Sequence, residues 1–395
     1  MIKIQTVVKL VLIGFLTVCF ALGGYYTYVK FPSFTDYELT QPPAERLGEL
    51  MSFVDTEKPI NPNLYAASTF QPDDPLYEAI IAIQEGRWHN AEELLNPLVE
   101  QGNADAMFWL ADITYSSSAF SDGGKWFLKA AELGNPYAAI KLSPKYNISN
   151  DCNWWLKSFC DEKWGEVGLK TLKSRAKNGD VKAAYAYLFY TRFDRTNFDF
   201  FNQFQDVVSK GIQEKYYRPL RQLVFMYQTR RNLNPYNRET IPLTEQDKKY
   251  LMDLLMIAAL DNDVVSINIL ASMYIDIIPS QVLFDQLFKN NLNSMNRDYF
   301  PAVYDYFTRE FKRNRDNRSI LVRGYAYSIS YDNYDGGPLH RLIYEDRLKE
   351  NDISPLTEQE KAKAQPIYEQ LQKDKKPVAY IDEVKGAWAN TIDGY

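Results

Sequence analysis

From about residue 75 onward, apolar positions recur every three and four residues, the spacing of one helix face. In WFLKAAELGNPYAAIKL (126–142), Trp126, Phe127, Ala130 and Ala131 form a stripe, Gly134 follows it, and Asn135 and Pro136 precede the paired Ala138 and Ala139. Glycine ends a helix without a Cβ penalty, Asn caps the next one, and Pro is tolerated at its first position. The stretch therefore predicts two helices joined by a tight turn, the second with a small face that lets its neighbour approach. The plan recurs in EQGNADAMFWLADITY (100–115), at Gly102, Asn103 and Ala106, and in KNGDVKAAYAYLFY (177–190), at Gly179, Asp180 and Ala183. After each junction a small residue is followed four positions later by Leu, and often four later again by Tyr. The copies are Ala106/Leu110, Ala138/Leu142/Tyr146, Ala184/Leu188, Pro219/Leu223/Tyr227 and Ser266/Leu270/Tyr274, with Ala79/Ile83 and Ala302/Tyr306 looser. Intervals of 27, 32, 46, 35, 47 and 36 residues indicate inserts in some copies. Self-similarity at this period predicts stacked helix pairs, each too small to bury its apolar face alone.

The copy GNADAMFWLADITYSSSAFSDGGKWFLKAAELGN (102–135) resembles the Sel1-like repeat family, a relative of tetratricopeptide repeats. It has that family's GNA-x-A-x-x-x-L first helix, a Gly-containing mid-loop and a W-[YF]-x-KAAE-x-GN second helix. The resemblance covers about residues 75–315 and departs from the pattern at inserts 147–162 and 229–245 and at the missing glycine after Gly211. It implies an α/α right-handed superhelix that binds proteins, with no catalytic residues inherited. The expected fold is thus all-α: a solenoid of six to seven helix pairs over 74–315, then a C-terminal capping helix and extended tail over 316–395. PLTEQDKK (242–249) and PLTEQEKA (355–362) both carry capping-box spacing, Thr244 with Asp247 and Thr357 with Glu360. The second opens the last expected helix, 357–373. The tail KPVAYIDEVKGAWANTIDGY (376–395) lacks a helical period; it either folds back on a helix face or waits for a partner.

The amino-terminus changes the picture of where such a solenoid works. Leu10–Val29 is 20 residues without a charge, or roughly 30 Å as helix, enough to cross a bilayer's hydrocarbon. Lys3 and Lys9 precede it, which favours a cytoplasmic N-terminus and an exported remainder. Residues 1–30 are expected to be a transmembrane anchor; the alternative is a signal peptide cleaved near Ala21-Leu22-Gly23. Residues 31–73, with Pro32, Pro42, Pro43, Pro59, Pro62 and Pro72, are expected to be an extended spacer. Either way residues 31–395 are placed in the periplasm, anchored to the inner membrane or soluble after cleavage.

Charge and chemistry narrow the function. A net charge of −6 argues against nucleic acid as the partner. With two histidines, His89 and His340, the chain lacks HExxH and multi-histidine metal sites, and neither G-x-S-x-G nor a phosphate-binding P-loop occurs. No enzyme and no cofactor is expected. His340 lies in the turn-rich YDGGPLHRL (334–342) and His89 just before a helix. Cys152 and Cys160 bracket CNWWLKSFC and pair only if the chain turns within 153–159, because eight helical residues span roughly 12 Å. Similar C-x7-C spacing occurs in cysteine-rich Sel1-like envelope proteins, across the inter-repeat junction. The basic run 309–323 reads as a solvated helix end or, through Arg313 and Arg315, a dock for an acidic partner or anionic lipid headgroups. Helical phase nominates Trp109, Asp112, Tyr185 and Tyr227 for the partner-binding face. The resemblance implies a protein-binding scaffold that assembles, localises or regulates an envelope machine such as a type VI secretion system. Its alternative is a periplasmic immunity protein that neutralises a toxin such as a lipase.

Overall fold

The structure, a computed structural model, describes residues 45–384 apart from 116–119, 148–149, 193–197, 229–241, 275–276, 279–280, 295–299 and 375–379. The expected anchor with its charge-free run 10–29, most of the insert 229–245 and tail residues 385–395 lie outside the described residues. Among the described residues no helix is long and apolar enough to cross a membrane.

All regular structure in the described residues is helical. After a short leading helix, α1 (Glu45–Leu50), come α2 (Tyr77–Gln84) with α3 (Trp88–Glu100), and α4 (Ala104–Tyr115) with α5 (Phe120–Glu132). Then follow α6 (Pro136–Lys141), the single turn α7 (Asp151–Trp154) and α8 (Lys163–Lys177). Next are α9 (Val181–Arg192) with α10 (Phe198–Gln213), α11 (Arg218–Gln228) with α12 (Glu245–Ala259), and α13 (Val264–Ile269) with α14 (Gln281–Ser294). The chain finishes in α15 (Phe300–Arg313), α16 (Ser319–Asp335), α17 (Leu339–Glu350) and α18 (Glu358–Asp374). From α2 onward helices pack chiefly on their neighbours in sequence, the contact pattern of a stacked array.

One junction makes the stacking regular. Helices α2, α3, α5, α8, α10, α12 and α17 end on a residue with positive φ: Gly86, Gly102, Gly134, Gly179, Lys215, Asn262 and Asp352. Around each, the next residue's N–H reaches back five positions, as in Asn103 N to Leu98 O at 3.0 Å, Tyr216 N to Gly211 O at 2.8 Å and Asp263 N to Ala258 O at 3.1 Å. This is the Schellman ending, which satisfies carbonyls that a helix leaves open. Lys215 therefore occupies the left-handed position where the sequence lacks a glycine after Gly211. The residue after it often caps the next helix: Asn135 accepts from Ala138 N at 2.7 Å and Asp263 from Ser266 N at 3.0 Å.

Helical pairing continues beyond residue 315, where a single cap was expected: α16, α17 and α18 all lie there. Aromatic and small residues surround α16, with Leu321, Val322, Tyr325, Ala326, Tyr327 and Tyr331 buried, so no narrow stripe announces it. His340 stands on α17, just past the turn at Gly336–Pro338, and is buried against the Tyr331 ring. The basic run contributes a clamp: Arg318 donates to both carboxylate oxygens of Glu360, at 2.6 and 3.0 Å, and to Pro355 O at 2.9 Å. Arg318 and the Thr357 backbone N–H hold the Glu360 carboxyl at about 2, well below its usual range.

The segment expected as a free spacer is, from Glu45 on, laid across the array. Leu47 and Leu50 sit in the α10–α12 core. Asn61 N donates to Leu260 O at 2.7 Å, and Asn262 Nδ2 donates to the carbonyls of Asn61 and Asn63 at 2.7 and 2.9 Å. Phe70 then packs edge-on against Trp109 of α4. This strap crosses the array from α12 back to α4, opposite to the direction of the repeats.

Relieving the left-handed strain with Lys215→Gly is expected to raise stability by up to about 1 kcal/mol. Asn262→Gly relieves the same strain but deletes the strap's hydrogen bonds, and should lower stability by about 1 kcal/mol. Thermal denaturation of the two variants checks both signs. Because the carboxyl of Glu360 titrates low in the folded chain, its stabilisation is present above about pH 4.5 and lost on acidification toward pH 2. Glu360→Gln should lower the melting temperature at pH 7 and make no difference near pH 2.

Candidate functional site

Three cationic side chains project from successive first helices along one edge of the array: Lys182 near the start of α9, and Arg218 and Arg221 at the start of α11. The arginine side chains are 4 % and 0 % exposed. Burying a guanidinium is costly unless it is paired and hydrogen-bonded. Arg221 Nη1 meets Asp263 Oδ1 at 2.6 Å, from the cap of α13, and Arg218 Nε donates to the Tyr185 hydroxyl at 3.3 Å. Lys182 Nζ lies 3.8 Å from the centre of the Phe70 ring on the strap.

The remaining partners come from the far end of the chain. Residues 380–384, YIDEV, lie on this edge with Ile381 and Asp382 fully buried. Asp382 forms an ion pair with Arg218 Nη1 and accepts hydrogen bonds from Tyr380 at 3.0 Å and Tyr216 at 3.5 Å. The Arg221 guanidinium stacks 3.7 Å from the Tyr380 ring centre. Lys182 Nζ pairs with Glu383 at 3.2 Å, and Thr69 of the strap donates to Ile381 O at 3.2 Å. Ile381 enters the apolar cluster of α2–α9, while Tyr380 joins Val264 and Val265 of α13. Burial pushes the Glu383 carboxyl above its usual range, with Lys182 opposing the shift. Burial and the Asp382 charge raise the Tyr216 hydroxyl far above its own, so it stays a donor.

A second feature stands on the insert between α6 and α8. Cys152 and Cys160 are disulfide-bonded, with Cα atoms 5.8 Å apart. The turn this requires falls at Trp155 and Leu156, between α7 and a single 3-10 turn, Lys157–Phe159. Leu156 is fully buried and pegs the loop to the core, whereas Trp154 and Trp155 are 65 % and 56 % exposed.

A third is a cavity of about 480 Å³ where the strap crosses α10 and α12, lined by Phe53, Val54, Met256, Leu260 and Leu283. At its polar end Asp261 accepts from Lys58, Asn61 and Tyr217 at 3.0, 3.0 and 2.5 Å. Among the described residues, no cluster of three or more His, Cys, Asp or Glu side chains could hold a metal ion.

The residues nominated by helical phase do not form a partner face. Trp109, Tyr185 and Tyr227 are at most 1 % exposed and Asp112 is 4 % exposed. The stripe spaced by four points into the seam between helices, where large rings fill space between small residues. Tyr185 alone touches the cationic edge, through its hydroxyl. Arg313 and Arg315 are exposed at the end of α15 and take no part in that edge, Arg313 pairing with Glu310 at 2.8 Å. Lys182, Arg218, Arg221, Asp382 and Glu383 were missed. The available signal was RPLRQL, with two arginines three apart at the start of a helix otherwise apolar on that side.

No protein-family model matches the chain, and no curated protein matches it. Among solved structures, the chain is similar to a protective antigen present in uropathogenic Escherichia coli strains and displaying an SLR fold. The TM-score is 0.43 at 13 % identity, covering 80 % of this chain and 62 % of that one. The chain thus spans less than two thirds of that protein's length.

Asp382→Ala leaves the Arg218 guanidinium without its carboxylate and should cost up to about 3–5 kcal/mol in stability. Glu383→Gln should cost less than Asp382→Ala, and its cost should shrink as pH rises. With a raised carboxyl, the native chain loses part of Glu383's contribution as pH climbs through that raised value, and glutamine removes the loss. Melting temperatures of both variants between pH 5 and 8 read the contrast.

Proposed function

We propose that this chain is a protein-binding scaffold of the Sel1-like repeat type, held by residues 10–29 at the inner membrane of a Gram-negative bacterium. There, in the periplasm, it helps assemble, localise or regulate an envelope machine such as a type VI secretion apparatus. The observation that carries the reading is the adjacent Trp154 and Trp155, both more than half exposed on a loop closed by a disulfide. Exposing two indoles to water is unfavourable, and Trp is among the residues enriched at the hot spots of protein interfaces. A covalent closure and the buried Leu156 fix the loop in advance, which lowers the ordering cost of association.

Export is supported by Lys3 and Lys9 ahead of the charge-free run, and by a disulfide, which persists in oxidising compartments. A stacked helical frame suits a scaffold because each pair adds surface without disturbing the others.

Crosslinking in native cells followed by affinity capture tests the reading. The Trp154→Ala/Trp155→Ala double variant should keep its melting temperature and lose its principal captured partner at least ten-fold. Undiminished capture by the double variant would overturn it. Recovery of one stoichiometric secreted toxin, in place of machine components, would replace assembly by immunity.

A further inference from the structure

The edge that holds Tyr380–Val384 recognises that segment by its side chains in register. Arg221 takes the aromatic ring, the α2–α9 core takes Ile381, Arg218 takes Asp382 and Lys182 takes Glu383. Val384 touches the apolar clusters on either side of α9. The cations stand on two successive first helices, Lys182 on α9 and Arg218 with Arg221 on α11, so they read the order of residues along an extended chain. None requires a chain terminus, because eleven residues follow Val384.

The cradle is also held in shape by groups that do not belong to the segment. Arg221 also meets Asp263, Arg218 the Tyr185 hydroxyl and Lys182 the Phe70 ring, none of which belongs to 380–384. A strut meant only for stability would be better built from apolar side chains, since buried ion pairs add little net stability and mainly discriminate between partners. An arginine buried as deeply as Arg218 is costly to leave without a carboxylate, which favours exchange of one acidic segment for another.

We propose that this edge is a binding site for extended peptides of the pattern aromatic–aliphatic–Asp–Glu–aliphatic, and that Tyr380–Val384 is its intramolecular occupant, displaced by a partner carrying the same pattern. The inference rests on the protein-binding reading but uses a different surface from Trp154 and Trp155. Being tethered, the native segment competes at an effective concentration on the order of millimolar, which sets the threshold a partner must exceed.

The test uses the full-length protein and a fluorescein-labelled peptide of residues 376–388, KPVAYIDEVKGAW. Asp382→Ala in the protein should loosen the native segment, so that the peptide binds at least ten-fold more tightly than to the unaltered protein. The same peptide carrying Asp382→Ala should not bind. Equal, undetectable binding to both proteins, or indifference to the peptide's Asp382, would overturn the proposal. Native-state hydrogen exchange on the unaltered protein decides independently, including where the variant fails to fold. Amides of 381–384 should open with smaller free energy than those of α11, and excess peptide should speed their exchange alone. If they exchange only together with α11, the segment is part of the core and the proposal fails. Loss of Trp-dependent capture with peptide exchange intact, or the reverse, separates the two readings.

Discussion

A helix pair buries one face against its own partner and needs a neighbour for the next, so every pair in this chain depends on how it is handed to the one after it. That handover is the left-handed residue closing α2, α3, α5, α8, α10, α12 and α17. Because the geometry repeats, the starts of the first helices fall in a row along one edge. Backbone N–H groups at those starts are unsatisfied within the helix and carry partial positive charge. Caps such as Asn103, Asn135, Asp180 and Asp263 serve individual helices. The edge between them is left to other parts of the chain.

The strap and the segment 380–384 cover it, and they do so by different physics. The strap is held by main-chain groups, with Asn61 and Asn63 meeting the α12–α13 turn through carbonyls and N–H, and by side chains, with Lys58 and Asn61 on Asp261 and Phe70 on Trp109. The main-chain part of that hold is indifferent to the strap's side-chain identity. Segment 380–384 is held by a ring, an isoleucine and two carboxylates, each against a specific partner. The first is a closure; the second is a reading of sequence. They touch at one hydrogen bond, Thr69 to Ile381 O, and at Lys182, which serves Phe70 on one and Glu383 on the other.

This division explains what the sequence disclosed. Helices, junctions and caps are local and were legible: the Thr244–Asp247 box is fully formed, and Thr357 and Glu360 exchange both hydrogen bonds. The four-residue stripe was legible as a face, but not as to which way it pointed. Trp109, Tyr185 and Tyr227 were assigned outward although large rings beside small residues are what a seam between helices requires. Residues 45–73 read as a spacer because prolines and polar residues dominate them, while the bonds that dock them come from the backbone and from those same polar side chains, whose partners lie far along the chain. The pairing of Arg218 with Asp382 joins residues 164 positions apart, beyond the reach of any periodicity.

Specificity and stability make opposite demands on that edge. An apolar seal would hold more firmly, yet it would accept any hydrophobic strand of suitable length, and an array with exposed indoles already risks unselective association. Buried charges reverse this: a segment lacking the aspartate leaves the Arg218 guanidinium desolvated without its carboxylate, a penalty larger than the gain from a correct match. Arg218 bears most of that discrimination, being nearly inaccessible and facing a carboxylate that is itself fully buried. Lys182 bears less, because the phenyl ring beneath it supports its charge and burial already disfavours ionised Glu383. The edge therefore distinguishes its segments chiefly at the aspartate.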